Sequence, residues 1–160
     1  MGLDPKESCA LIRYRAIFGS HPGNTPTGGF GALMQSFLAA DYLEKRLKLT
    51  AQLKSQDASG IASLWMRIDA ERGHTLGFDN MEGRTIDGPL QGTVGWRDRY
   101  IVMDVPASAQ SIHFGFFLRG GGSVWARHFR FADVDDTIQT TDSGMPRRTV
   151  PINLDFAVAS

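Results

Sequence analysis

The stretch RLKLTAQLK, residues 46–54, alternates apolar and polar side chains without exception. Its apolar members occupy every second position, and they are Leu47, Leu49, Ala51 and Leu53. A period of two puts such residues on one face of an extended chain, whereas a helix would scatter them around its axis. Residues 46–54 therefore predict a strand with one buried face, and the ten residues before them, whose types favour helix, are expected to form only a short helical turn at about residues 39–43.

The chain after this strand predicts a β-hairpin. QDASG (56–60) has the composition of a loop, and IASLWMRID (61–69) and HTLGFD (74–79) have the alternation of strands. AERG (70–73) joins them, with Gly73 available for a positive φ angle. Residues 80–92 are rich in glycine and charge, which is typical of a long loop.

Further short apolar runs separated by turn residues complete an all-β pattern. They are ALIRYR (10–15), GALMQSF (31–37), TVGWRDRYIVMDV (93–105), SIHFGFFLRG (111–120) and GGGSVWARHFRFADV (120–134). Eight or nine strands with 18 glycines and almost no helix predict an antiparallel β-sandwich, best a jelly roll, with a barrel as the alternative. We expect one domain over residues 1–135 and an extended C-terminal tail over 136–160, whose apolar end VPINLDFAV docks on its own or a neighbouring chain.

Bulk composition narrows the classes of function. Seventeen basic residues balance seventeen acidic ones, so no net field attracts nucleic acid or an anionic membrane. No apolar run approaches the ~20 residues that a membrane-spanning helix needs. The single cysteine, Cys9, cannot form an intramolecular disulfide, which fits a reducing compartment. The expectation is a cytoplasmic protein with no direct nucleic-acid or membrane binding.

An ordered series of short motifs resembles a known module. The motifs are GFGALMQ (29–35), SLWMRID (63–69), GFDNM (77–81), W-x3-Y-x3-DVP (96–106), IHFGFFLRGGGSVW (112–125) and FADVD (131–135). In this order they are similar to the galactose-binding-like jelly-roll domain that occurs appended to AraC-type transcriptional regulators and to some hydrolases. The resemblance implies a β-sandwich that binds a ligand, often a carbohydrate, or that serves as a sensing or oligomerising accessory part without catalysis.

This sequence departs from the family pattern in two places, and each departure changes which family properties we expect of this chain. Many members have an aspartate pair after the tryptophan of the last strand, and relatives use an aspartate near there to hold a structural calcium. Here Trp125 is followed by Ala126, Arg127 and His128, and a cationic side chain cannot replace a hard oxygen ligand, so neither calcium nor any other cofactor is expected. Relatives also carry an additional first strand; if it is missing here, an open sheet edge favours a homodimer.

The residues that we expect to bind a ligand lie in the hairpin and in the loop after it. They are Trp65, Arg67, Asp69, Asp79, Asn80 and Arg84. Trp65 offers an aromatic platform for a sugar ring or another small polar ligand, and the charged residues two and four positions on offer charge-assisted hydrogen bonds. The alternative is a packed Trp beside an ordinary cross-strand ion pair, with Asp79 and Asn80 capping a turn.

Catalytic signatures are weak. Asp69, Asp79 and Glu82 supply carboxylates that a glycoside hydrolase requires in a converging pair, but no nucleophile motif accompanies them. The four histidines lack zinc-ligand spacing. The sequence therefore predicts a ligand-binding or sensing module with no catalytic or metal-binding residues; the alternative is a structural or oligomerisation domain without a small ligand, and a glycoside hydrolase is the weaker third reading.

Overall fold

A computed structural model describes residues 8–14 and 29–141. In these ranges the chain forms seven strands: β1 (Ala10–Tyr14), β2 (Phe30–Leu38), β3 (Arg46–Asp69), β4 (Thr75–Asp79), β5 (Leu90–Asp104), β6 (Ser111–Arg119) and β7 (Gly122–Val134). Two single-turn 3-10 helices lie at Ala40–Tyr42 and Glu71–Gly73. No helix in the described ranges is long and apolar enough to cross a membrane.

The strand β3, 24 residues long, belongs to both layers of the sandwich. Its first half pairs with β5 on one side and β7 on the other, and its second half pairs with β4 and β6. With β1 beside β7 and β2 beside β6, all pairs are antiparallel. We name the layer of β2, β6, β4 and the second half of β3 sheet I, and the layer of β1, β7, β5 and the first half of β3 sheet II. The all-β sandwich architecture is as the sequence predicts.

The prediction of a loop at QDASG (56–60) is wrong, because β3 continues through these residues. Asp57 has a positive φ of 52°, and the pairing with β5 shifts register before and after Ala58. These bulges bend the strand, and neighbouring backbone still supplies hydrogen bonds, as from Ser59 N to Gly121 O at 3.2 Å. Two expected strands are thus one bent strand, which helps explain why the described ranges hold seven strands where eight or nine were expected.

The core lies between the two sheets. The alternation predicted the buried face of β3, since Leu47, Leu49 and Leu53 from sheet II and Leu64, Met66 and Ile68 from sheet I are all fully buried. The rings of Phe114 in β6 and Phe131 in β7 meet edge to face with centroids 4.8 Å apart, which joins the two layers. The polar positions between the buried ones are left on the outer surfaces of the sheets.

The predicted turns form where expected. A 3-10 turn at Ala40–Tyr42 occupies the segment predicted as a helical turn. The β3–β4 hairpin closes through Arg72 and Gly73, both with positive φ, and Ala70 N donates to His74 O at 2.7 Å.

The chain beyond the predicted domain boundary at residue 135 still contacts the sandwich. Arg46 donates to the carbonyl oxygens of Asp136 and Ile138, and Thr141 exchanges hydrogen bonds with the backbone of Val102. The remainder of the expected tail, residues 142–160, lies outside the described residues, as do the start of the chain, where a missing first strand was considered, and residues 15–28.

Candidate functional site

The outer face of sheet I carries most of the predicted ligand-binding residues. Trp65 and Arg67 alternate with the buried Leu64, Met66 and Ile68, so they point away from the core. On the neighbouring strand β6, Gly115 pairs with Trp65 and His113 pairs with Arg67. Because β6 also pairs with β2, side chains of β3, β6 and β2 lie in rows across this face.

A cavity of about 310 Å³ opens on this face. We call it the aromatic pocket, and its lining comprises Phe30, Ala32, Trp65, Arg67, Phe78, Asn80, Phe117 and Arg119. The Trp65 and Phe78 ring centroids lie 6.4 Å apart with the planes inclined at 41°, and Phe30 lies 5.7 Å from Phe117. Phe30 is 66% exposed and Phe78 48% exposed, so apolar rings face solvent here.

Hydrogen-bond donors and a hydrogen-bond acceptor lie at the edge of the aromatic pocket. Glu82 Oε1 accepts from Arg119 Nη2 at 2.7 Å and from Asn80 Nδ2 at 3.0 Å. The Arg119 guanidinium also lies 5.7 Å from the centre of the Phe117 ring. Arginine and amide N–H groups donate, while the Glu82 carboxylate accepts, so the edge of the pocket can satisfy a ligand that carries hydroxyl groups.

Asp69 extends the site along β3, beside the aromatic pocket. Its Oδ2 accepts from Arg67 Nε at 3.0 Å, lies 2.9 Å from Arg67 Nη2 and lies 3.1 Å from His113 Nε2. Its side chain is only 3% exposed, and its buried Oδ1 has no hydrogen-bond partner among residues 8–14 and 29–141. An unpartnered buried carboxylate oxygen is costly, which marks this position as more than a surface ion pair.

Asp79 and Arg84 do not line the aromatic pocket. Asp79 pairs with the inward-facing Met66, so it points opposite to its neighbours Phe78 and Asn80. Its carboxylate accepts from Arg84 Nη2, from Thr141 Oγ1 at 2.7 Å and from Met81 N at 2.8 Å. Arg84 also donates to Tyr100 O at 2.7 Å. The structure therefore uses this pair to fasten the loop after β4 and does not bring it to the aromatic pocket.

The same loop is held from its other end by Arg99. Arg99 Nε donates to Gly88 O at 2.7 Å, and Asp87 Oδ1 lies 4.0 Å from Arg99 Nη1. Burial against the loop lowers the pKa of the Arg99 guanidinium, and the nearby Asp87 carboxylate partly opposes this shift. The loop that carries Glu82 is thus anchored at both ends, which keeps the edge of the pocket in place.

Two of the three carboxylates considered for glycoside hydrolysis lie on opposite faces of sheet I. Asp69 lies on the outer face of sheet I, whereas Asp79 points to the opposite side of the same sheet. Glu82 bonds to Asn80 and Arg119. A hydrolase needs two such groups facing one sugar, and Asp69 and Asp79 do not form such a pair. In residues 8–14 and 29–141 no group of three or more His, Cys, Asp or Glu residues is placed to hold a metal ion.

The outer face of sheet II is aromatic and cationic, but its rings have partners within the chain. The Arg127 guanidinium lies 4.0 Å from the centre of the Trp96 ring, Lys54 lies over Trp125, and Lys48 lies over Tyr100. Such cation–π pairs stabilise a solvated sheet face by about 0.5–1 kcal/mol each. The aromatic pocket of sheet I, with exposed rings, is the better candidate site.

Of the residues predicted from the sequence, Trp65, Arg67 and Asn80 line the aromatic pocket and Asp69 adjoins it. The pocket is also lined by residues that were not expected to bind a ligand from the sequence, namely Phe30, Phe78, Phe117 and Arg119. Alternation alone places Phe117 and Arg119 on the same side of β6 as His113, but only the pairing of β6 with β3 shows that this side adjoins Trp65.

Comparison with curated proteins gives one informative similarity. The chain is 41% identical over 131 residues to an uncharacterized HTH-type transcriptional regulator, YbfP, of Bacillus subtilis (strain 168). The match covers 81% of this chain and 43% of that protein, so the chain spans less than half the length of this relative. No family model matches.

Comparison with solved structures gives similarities of low TM-score and low identity. The enzymatically active domain of bacteriophage CBA120 tailspike protein 4 has a TM-score of 0.47 at 10% identity, covering 79% of this chain and 19% of that one. A family 16 carbohydrate binding module has a TM-score of 0.44 at 11% identity, over 64% and 70% of the two chains. The CBM22-1 xylan-binding domain from Paenibacillus barcinonensis has a TM-score of 0.42 at 12% identity, over 71% and 89%. Likenesses at these values carry no argument about ligand or activity. The sequence similarity to an HTH-type transcriptional regulator is therefore the comparison that bears on function.

Proposed function

We propose that this chain is a non-catalytic ligand-binding or sensing module of a transcriptional regulator, of the galactose-binding-like kind found on AraC-type regulators, and that its ligand occupies the aromatic pocket. The observation that supports this proposal is the pocket itself, because its exposed aromatic rings are surrounded by hydrogen-bond donors and acceptors. The similarity to an HTH-type regulator supports the setting, and with it a cytoplasmic location.

The chemistry of the pocket favours a small polar ligand with one apolar face, and a carbohydrate is the class that fits best. Trp65 and Phe78 offer surfaces on which the C–H face of a sugar ring packs. Arg67, Arg119 and Asn80 then donate to hydroxyl oxygens, and Glu82 accepts from a hydroxyl. The cavity, at about 310 Å³, lies at the lower end of the range that small-ligand sites occupy.

Replacement of Trp65 by alanine is expected to weaken ligand binding at least about 10-fold, because buried aromatic anchors contribute more than about 1.4 kcal/mol to binding when a ligand covers them. Calorimetric titration against a panel of sugars and small organic acids measures the effect. Trp96→Ala is the matched control, since Trp96 is also half-buried but lies on the outer face of sheet II. Absence of any ligand at millimolar concentration, or an equal loss in both variants, contradicts the proposal.

The second candidate is an oligomerisation domain without a small ligand, and the exposed apolar side chains of β2 favour it. On the outer face of sheet I, Phe30, Met34 and Leu38 are 66%, 58% and 76% exposed. In the described part of the chain β2 pairs on one side only, with β6. A row of apolar groups at a sheet edge suits a second copy of this chain, because a two-fold axis buries the same row twice.

For this candidate we expect a homodimer in sedimentation velocity experiments that Met34→Glu converts to a monomer, since a charge at the centre of an apolar contact is desolvated without a partner. Ile86→Glu is the control, because Ile86 is 79% exposed but lies in the loop between β4 and β5. A wild-type chain that is monomeric at every concentration rules out the candidate.

A further inference from the structure

Three side chains on adjacent strands of sheet I form a hydrogen-bonded array beside the aromatic pocket. Ser36 on β2 pairs with His113 on β6, and Ser36 Oγ lies 2.6 Å from His113 Nδ1. On the other side of the ring, His113 Nε2 lies 3.1 Å from Asp69 Oδ2 on β3 and 3.0 Å from the Ser111 hydroxyl, which can accept from the same N–H. The order is hydroxyl, imidazole and carboxylate, with both ring nitrogens engaged.

The partners of the ring fix where its hydrogen lies. Asp69 Oδ2 also accepts from Arg67 Nε and lies 2.9 Å from Arg67 Nη2, the surroundings of a carboxylate that only accepts. The neutral imidazole therefore carries its hydrogen on Nε2, facing Asp69, and its Nδ1 accepts from the Ser36 hydroxyl. In this tautomer the Ser36 hydroxyl donates to His113 Nδ1, and the opposite ring nitrogen donates to the Asp69 carboxylate.

This array is more buried than a row of polar side chains on a solvated sheet face usually is. The side chain of Asp69 is 3% exposed and that of His113 17% exposed, whereas Ser36 is exposed. The carboxylate is thus shielded from water, and it stabilises an imidazolium formed when His113 takes a proton, while the hydroxyl stays open to reagents. The exposed Met34 and Leu38 flank Ser36 on the same face of β2 and offer apolar surface to the rest of a ligand.

We propose that Ser36 is a nucleophile through which this module captures activated acyl compounds, such as reactive esters or lactones, as a covalent adduct. Ser36 Oγ forms a bond to the acyl carbon as its proton passes to His113 Nδ1. The bond from the acyl carbon to the leaving oxygen breaks, and His113 returns the proton to that oxygen. For an ester the products are an acylated Ser36 and the free alcohol, and the ring ends neutral, as it began. For a lactone the ring opens and the alcohol stays attached to the acyl group.

The test is labelling of the full chain with a fluorophosphonate probe and with p-nitrophenyl acetate, followed by intact-protein and peptide mass spectrometry. We expect one adduct per chain, located on Ser36, and none in Ser36→Ala. His113→Gln is expected to lower the labelling rate about 100-fold, the usual contribution of a positioned general base. Ser108→Ala is the matched control, because Ser108 is also an exposed serine but lies in the turn between β5 and β6, away from His113, and its labelling rate should match that of the wild type.

An adduct on any other residue, no adduct, or equal rates for the wild type and His113→Gln overturns the proposal. If Ser36→Ala does not fold, the peptide assignment in the wild-type chain decides the matter without it. Ser36 does not line the aromatic pocket, so reversible sugar binding that survives in Ser36→Ala leaves the proposed function standing whatever the labelling shows.

Discussion

Asp79→Ala is expected to lower the free energy of unfolding by about 3 kcal/mol, the lower end of the cost of removing one partner from a buried ion pair. The Asp79 carboxylate is 3% exposed and joins Arg84, Thr141 and the backbone N–H of Met81. Alanine removes the acceptor that these three donors share, at the point where β4 leaves the sheet. Arg84 keeps its bond to Tyr100 O, which holds the cost at the lower end of the range.

Urea denaturation followed by circular dichroism measures this effect. Asp79→Asn is the matched control, because an amide oxygen still accepts from Met81 N while the negative charge is gone, and we expect a smaller loss than for alanine. If Asp79→Ala loses less than about 1 kcal/mol, the carboxylate is an ordinary surface group, and the role given to it in fastening the loop is wrong.

Gly115→Ala is expected to destabilise the fold by about 3 kcal/mol or more and to loosen β2, because no room exists for a methyl group. A Cβ at position 115 lies 1.8 Å from the carbonyl oxygen of Leu33 and 3.1 Å from Met34 Cα. These are backbone atoms, so no side-chain rotation relieves the clash, and β2 must move away from β6. The movement also separates Ser36 from His113.

The measurements are urea denaturation and hydrogen exchange of the β2 amides, which report local opening of that strand. Gly95→Ala is the control, since Gly95 lies in β5 and no heavy atom of the described part of the chain lies within 4 Å of an added Cβ. We expect its stability to match or slightly exceed that of the wild type. Unchanged exchange in Gly115→Ala would show that β2 does not lie as close to β6 as described.

The face assignments within each strand follow from the sequence because alternation is a local property. Residues 46–54 place all their apolar side chains on one side whatever the strand pairs with, as residues 64–68 do with Leu64, Met66 and Ile68, and the structure buries those residues. The β3–β4 hairpin is equally local, since AERG brings its two strands together with little choice of partner.

The candidate site depended on information that alternation does not contain. Asp79 and Asn80 are adjacent and equally polar, yet one is tied beneath the sheet to Arg84 and the other lines the aromatic pocket. Which of them shares a face with Trp65 depends on the register of β4 against β3, and a slip of one residue would exchange them.

The sequence by itself determined the all-β class, the buried face of β3 and the side of the hairpin on which Trp65 and Arg67 lie. Only the tertiary structure decided that β3 bends at Asp57 and serves both layers, because bulged and looped chains share the same residue types. It also decided that Phe117 meets Trp65 and that His113 lies between Ser36 and Asp69. Those contacts arise from pairing between strands distant in sequence, and pairing is set by the free energy of the whole packed sandwich and not by any one segment.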